Sequence, residues 1–432
     1  MNLKKEGHSV KNKKTPTISI TLAAAIVTML YTTAFSAPLS LSLQDSVTYA
    51  LQNNPAVKIA QAEQEKSAWG ISEAEAGKLP TVSLGSSYNI KSNNPLGGDG
   101  DLSNSLRLSM PLYSGGRIEG QIDQAKRQAD FSIMGLDKAK AQVKLDTITS
   151  YYTVLQTANL LEVNNQTVAN MEEHLQSVQA KYDVGVVAKS DLLRSEVELA
   201  NARQNAIKAE NSYLLAKNSL LSNMMLDPGT ELSLTESLQY QNYDKSMADS
   251  LDLAKKNRPD IAQAQITVAI AATGIDLAKS GRLPSVSLGA SNGWSEGVLP
   301  SNDNWTVGVS ASWNLYDAGT TGAKIKQADA SLTKAQEQAR QIETVALLEV
   351  RQNYLSMAEA EKRLGTTDVA VSKAQEDLYI AREKYNAGIG TNLDVIDAQL
   401  ALTQAKTNRI QALYDYNVSV AKLNKAIGMK AE

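Results

Sequence analysis

The chain of 432 residues has no cysteine and only two histidines. Without cysteine there can be no disulfide framework, thiol nucleophile, zinc-thiolate site or lipidated N-terminal cysteine. His8 lies near the start, and His174, within the helix-forming stretch EEHLQS, reads as a solvated surface residue. The sequence shows no glycine-rich phosphate loop, no nucleophile elbow and no clustered metal ligands. It therefore predicts a protein that is not an enzyme, with no cofactor and no metal site.

Proline is scarce in a patterned way. Its ten occurrences all lie outside two tracts, 112–227 and 301–432. An interior proline removes a hydrogen bond and clashes with the preceding turn, so these tracts permit very long helices. Ala, Gln, Lys, Glu and Leu dominate both, and only Gly135 interrupts Gln121 to Tyr182, as only Gly365 interrupts Ala323 to Tyr385. Each such helix would reach roughly 90–95 Å at 1.5 Å per residue. Tyr151, Leu155, Leu160, Leu161 and Val168 mark a narrow apolar stripe of the coiled-coil kind.

The turns DVGVVAKS and NAGIGTN end these helices, and return helices are expected over about Asp191 to Met224 and Leu393 to Ile427. A helix beginning at Pro55 and another at Pro259 would supply the remaining cover for each long helix.

The whole arrangement is written twice. KLPTVSLGSSYN at Lys78 to Asn89 returns as RLPSVSLGASNG at Arg282 to Gly293, and DSVTYALQNNP at Asp45 returns as DSLDLAKKNRP at Asp249. Farther on, LYSGG at Leu112 matches LYDAG at Leu315, Gly185 matches Gly388, and Asp191 matches Asp394. A duplicated unit this long implies internal pseudo-symmetry in one structure. The expected organisation is a signal over 1–36, a first repeat over 37–243 and a second over 244–432.

The signal is read from five lysines ahead of an apolar stretch from about Ile18 to Phe35 that ends in small residues. A permanent membrane anchor is the competing reading. No later stretch is expected to cross a membrane as a helix. Removal of residues 1–36 takes away five Lys and one Glu, which moves the formal charge from −3 to −7 and argues against nucleic acid as a partner.

Between the first two helices of each repeat the period changes to two. Val82, Leu84, Tyr88 and Ile90 oppose Ser83, Gly85, Ser87 and Asn89; Leu106, Leu108, Met110 and Leu112 repeat the pattern. In the second unit Val286, Leu288 and Ala290 precede a run of Trp305, Val307, Val309, Ala311, Trp313 and Leu315 opposed by Thr306, Gly308, Ser310, Ser312 and Asn314. These are strands of roughly ten residues with one oily face, the length that crosses a bilayer at the usual tilt. The polar stretches SNNPLGGDGD and SEGVLPSNDN are expected as loops. Four strands cannot close a membrane barrel alone, so the chain either oligomerises or packs each strand pair on a soluble core.

With LSLQDSVTYALQNNP, the LP-strand segments, LYSGG with LYDAG, and above all YNAGIGTNLDVIDAQLALTQAK, the chain resembles the outer-membrane efflux protein family, the TolC-like channels of Gram-negative envelopes. The resemblance covers essentially the whole chain after the signal. It implies a fold that is mainly α with a membrane β-barrel: a homotrimer in which four strands per chain make a twelve-stranded barrel, continued by a periplasmic α-helical tunnel. It also implies a passive exit duct in the outer-membrane lipid. An inner-membrane transporter would drive export through a periplasmic adaptor, in drug or metal efflux or in type I secretion. A secreted coiled-coil spacer of the cell envelope is the alternative.

By the same resemblance the hairpin tips Val184, Gly185, Val186, Ala387, Gly388 and Ile389 would dock the adaptor, while Tyr182 and Tyr385 pack beside them. Asp394 and Asp397, with Asp191, match the entrance constriction. Family members often carry a basic residue where this chain has Gly390, so the family's closing contact is expected to be absent or supplied by Lys189 or Arg194.

Overall fold

The computed structural model describes residues 39–94, 97–295 and 304–429, with the backbone alone over 91–101. The expected signal, residues 1–36, lies outside them. The elements run β1 (Leu39–Leu41), α1 (Leu43–Asn53), α2 (Pro55–Ala76), β2 (Thr81–Asn94), β3 (Gly97–Tyr113), α3 (Arg117–Asp183), α4 (Lys189–Asn223), β4 (Leu232–Leu234), α5 (Met247–Asn257), α6 (Pro259–Ser280), β5 (Ser285–Trp294), β6 (Trp305–Ser312), α7 (Thr320–Asn386) and α8 (Asn392–Ala426).

The proline-free tracts form the two long helices. α3 and α7 each run 67 residues without a break, about 100 Å at the rise of an α-helix. A helix of that length cannot stand in water on propensity alone and needs partners along its side. α3 is lined by α2 and α4, and α7 by α6 and α8. Pro55 and Pro259 each open their helix, where the missing N–H costs nothing.

The duplication also reaches the caps. Ser42 with Asp45 and Ser246 with Asp249 form the same capping box at the start of α1 and α5, each contributing about 1 kcal/mol.

Two comparable apolar cores form along the long helices, the first also taking in Leu364 of α7 and Leu413 of α8. In the first, Tyr151, Val154 and Leu155 of α3 meet Leu220 and Leu221 of α4 and Val57 of α2. In the second, Val350 and Met357 of α7 meet Tyr416 and Leu423 of α8 and Ala254 of α5. β1 and β4 pair in parallel beside the first core, Leu39 opposite Leu232. Three residues are too few to show alternation, and the sequence pattern gave no sign of these strands.

The remaining four strands form one antiparallel sheet in the order β2-β3-β5-β6. Val82, Leu108, Ala290 and Val307 stand in line across it, as do Leu84 and Leu106. Val82, Leu84, Tyr88, Trp305, Val307 and Val309 are all exposed. An oily sheet face with nothing over it is a surface made for lipid or for another chain.

Two expectations are corrected. β2 and β3, with 14 and 17 residues, exceed the ten expected, because the ladder continues through SNNPLGGDGD, pairing Lys91 with Asp99 and Asn94 with Gly97. SEGVLPSNDN lies mostly outside the described residues. α6, with a mean hydropathy of 1.4 in its richest window, is long and apolar enough to cross a membrane, contrary to the expectation that no later helix would be. It lies instead along both α3 and α7, where Gln263 donates to the Phe131 carbonyl at 3.1 Å and Thr273 donates to Asp123 at 2.8 Å.

Candidate functional site

The site is built where the long helices turn back. At the end of α3 the Gly185 N–H donates to the Tyr182 carbonyl at 2.9 Å and the Val186 N–H to the Lys181 carbonyl at 2.9 Å. At the end of α7, Gly388 donates to Tyr385 at 3.2 Å and Ile389 to Lys384 at 3.0 Å. This is the same left-handed helix stop in both copies, and it needs Gly185 at φ 77° and Gly388 at φ 78°. Val184, Val186 and Ile389 project from the tips at 74, 70 and 79 % exposure, and Ala387 is exposed beside them. The two tips thus offer apolar side chains on a backbone whose last carbonyls are already satisfied.

Behind the tips the two hairpins pack on each other. Tyr385 is buried with Val178, Leu192, Leu378 and Val395, and Tyr182 packs half-buried against them. Lys181 of α3 crosses to α7, where its ammonium donates to the Tyr385 carbonyl at 2.5 Å and lies 3.8 Å from the centre of the Tyr385 ring. A cation there meets both the negative end of the α7 dipole and the ring face. The buried Tyr385 hydroxyl has no hydrogen-bond partner among the described residues. Burial, then the nearby Asp191 carboxylate, raises its pKa.

His174 is buried, which corrects the expectation of a solvated residue. It sits on the face of α3 that receives the first turn of α8, 5.3 Å from the Tyr385 ring, and its Nε2 stands 2.6 Å from Asn392 Oδ1. Asn392, also buried, donates its amide to the Asp191 carbonyl at 3.0 Å, and Ser195 Oγ lies 3.2 Å from the same Oδ1. Because the Asn392 amide is spent on Asp191, its oxygen must accept, so the neutral imidazole carries its proton on Nε2. Desolvation lowers the His174 pKa from 6.5, with the Arg382 and Lys181 charges adding to it and the Asn392 bond opposing.

The polar seam continues away from the tips. Asn170 donates to Gln399 at 3.0 Å, the Thr167 and Thr403 hydroxyls are 2.9 Å apart, and Lys406 donates to Gln166 at 2.6 Å. All join α3 of the first hairpin to α8 of the second.

The acidic residues divide into two kinds. Asp394 closes the first turn of α8: its carboxylate accepts from the Thr391 N–H at 2.9 Å and the Thr391 hydroxyl at 2.7 Å, and that backbone bond first, then the hydroxyl, lowers its pKa. Asp397 is exposed one turn on, at the spacing that shares a helix face with Asp394. Asp191, half-buried, stands at the matching place in α4, where Ala188 supplies no side-chain cap.

Gly390 is held by its own N–H to the Lys384 carbonyl at 3.0 Å. A Cβ on it would stand 3.0 Å from Lys384 Cβ and from the Tyr385 nitrogen, so a side chain fits only if that turn shifts. Lys189 and Arg194 are exposed and form no ion pair among the described residues. Lys181, three residues before the tip, makes a basic contact between the hairpins, as do Arg382 with Glu173 at 3.6 Å and Lys406 with Gln166. A long side chain reaching a backbone carbonyl leaves no residue-type signature in sequence.

Comparison with known proteins gives one consistent answer. The family model described as outer membrane efflux protein matches residues 47–224 and 250–429. Outer membrane protein TolC of Vibrio cholerae is 24% identical over 408 residues, covering 90% of this chain and 91% of that protein. The alkaline protease secretion protein AprF of Pseudomonas aeruginosa is 23% identical over 430 residues, covering 95% and 88%. Among solved structures, the outer-membrane channel OprN superposes with a TM-score of 0.79 at 18% identity, covering 90% of each chain.

Proposed function

The chain belongs to the outer membrane efflux protein family, whose members are outer-membrane channels and not enzymes, and from that premise we propose that it is the exit duct of a tripartite efflux or type I secretion system. The protein is located in the bacterial outer membrane and reaches into the periplasm. In the proposed duct three chains bring their four-stranded sheets together as a twelve-stranded barrel, and the hairpins of α3, α4, α7 and α8 continue it as a helical tunnel.

The observation that carries this reading is the sheet. It presents an uncovered oily face, and its edge strands β2 and β6 have no further partner among the described strands. An open edge is not tolerated in lipid, whereas three copies of the sheet joined edge to edge leave none. Family relatives named for secretion and for efflux support the two candidate systems.

Transport through such a duct is passive, so its energy comes from an inner-membrane transporter. The tips Val184 to Val186 and Ala387 to Ile389 are the docking points for a periplasmic adaptor. Asp394, Asp397 and Asp191 stand where the tunnel opens, three copies of each around one axis, and attract cations there. Opening is a relative movement of the two hairpins, and adaptor binding biases that equilibrium.

The test is the oligomeric mass of the purified, signal-processed protein in detergent, with its conductance in planar bilayers. Discrete channels from a trimer support the reading. A water-soluble monomer without conductance refutes it and favours the envelope spacer.

A further inference from the structure

The polar face of the sheet is almost free of charge. Across Thr81 to Ile90, Leu102 to Tyr113, Ser285 to Trp294 and Trp305 to Ser312 a single charged residue occurs, Arg107. It stands opposite Ser83 of β2 and Ser291 of β5, and Ser291 in turn faces Thr306 of β6. Ser105 and Ser109 flank it on the same face. Leu106 and Leu108, its chain neighbours, belong to the oily face.

The surrounding hydroxyls satisfy one another. Ser87 and Ser103 lie 2.8 Å apart, Ser287 and Ser310 2.9 Å, and Ser291 and Thr306 2.9 Å. Arg107 is exposed and makes no ion pair among the described residues. Toward the hairpin end the register sets Lys91 opposite Asp99 and Asn89 opposite Asp101, so fixed charges of both signs return there.

We propose that Arg107 determines the ionic preference of the barrel. This rests on the trimeric-duct reading: the oily face meets lipid, the hydroxyl face lines the bore, and three Arg107 guanidiniums form a positive ring in a band of wall that carries no other charge, apart from the Lys91, Asp99 and Asp101 end of the β2–β3 hairpin. Such a ring concentrates anionic solutes, inorganic anions and carboxylate, phosphate or sulfonate groups alike, and repels small cations. Lumen-facing positions of membrane barrels are those that tune selectivity.

The ring opposes the carboxylates at the other end of the duct. The 67 residues of α3 separate the two by about 100 Å, many times the Debye length of about 10 Å at 0.1 M salt. The two charge sets therefore act independently, and their effects on permeability multiply.

The experiment is the reversal potential of the purified trimer in planar bilayers under a KCl gradient, for the wild type, Arg107→Gln, Arg107→Glu and Arg107→Lys. Arg107→Gln is expected to raise the potassium-to-chloride permeability ratio several-fold, Arg107→Glu to raise it further, and Arg107→Lys to leave it near the wild type. The same several-fold factor is expected when Asp394→Asn and Asp397→Asn are already present. An unchanged ratio in Arg107→Gln and Arg107→Glu channels of normal trimeric mass overturns the proposal. A wild type that forms no trimeric channel overturns the duct reading itself, and the ring with it, before any variant is examined.

Discussion

The two hairpin tips are copies of one design that have come to serve different ends. Both stop their long helix with the same glycine turn, and both place an aspartate three residues into the return helix. In the second copy Asp394 and Thr391 close a capping box, so α8 begins as a self-sufficient helix. In the first copy Ala188 stands where Thr391 would, and α4 begins without a side-chain cap. There the Asp191 backbone carbonyl accepts from the Asn392 amide of the second hairpin as well as from Ser195 of its own helix, and the Asp191 charge helps raise the pKa of the Tyr385 hydroxyl. The first return helix is thus held at its start by the second hairpin, while the second holds itself. A buried polar seam can exchange its bonds with water when the hairpins part, which a purely apolar seam cannot.

The comparison is broken most severely at Asn392. Asn392→Leu leaves His174, Ser195 and the Asp191 carbonyl without their shared partner in a buried setting, and the tip region should lose about 2–4 kcal/mol. The matching position in the first copy is the exposed Lys189, where Lys189→Leu should change stability by no more than about 0.5 kcal/mol. Hydrogen exchange of the amides in the first turns of α4 and α8 measures both, and equal effects would show the seam to be of no consequence.

Exchanging the caps sharpens the contrast. Thr391→Ala should cost about 1 kcal/mol in the first turn of α8. Ala188→Thr should protect the first turn of α4 by a similar or smaller amount, because Ala188 already has the extended backbone of a cap, at φ −75° and ψ 153°. Faster exchange in α8 for one variant and slower exchange in α4 for the other is the expected pair of results.

The smallest effect is that of acid on the seam. His174 has a depressed pKa in the folded chain, so its contribution is fully present above the ordinary value of 6.5 and is lost as pH falls through the folded value. Arg382 and Lys181 face the ring from α7 and α3, so a protonated His174 would be a third cation among them. Asn392 on α8, Ser195 and Asp191 on α4 and Tyr385 on α7 are the polar groups around it. Tip amides should exchange faster at pH 5.5 than a pH-independent opening predicts, and His174→Gln should abolish the difference. Persistence of the difference in His174→Gln would show that it does not arise from His174.

The long helices and their return turns were legible because their causes are local. Proline is absent for more than a hundred residues, and a glycine stands at each reversal. The four strands showed through strict alternation, and the duplication showed through residue identities. What failed to show depends on contact between distant segments. His174 is indistinguishable in sequence from a surface histidine, since its burial comes from a face of α8 more than two hundred residues away. Lys181 gives no sign of its contact in sequence, because its partner is a backbone carbonyl of α7, whereas Lys189 and Arg194 are exposed. The membrane-like apolarity of α6 is hard to see in sequence because Asp260, Gln263, Asp276 and Lys279 are scattered among its alanines and isoleucines, in a helix that lies along both α3 and α7.

The most direct test of a duct gated by its hairpins uses the absence of cysteine. Ser195→Cys with Asn392→Cys places two thiols where the native side chains lie 3.2 Å apart, and no other thiol competes. Single-channel conductance should fall to a low, steady level when the pair is oxidised and recover on reduction. A disulfide that forms fully yet leaves the conductance unchanged would contradict the account.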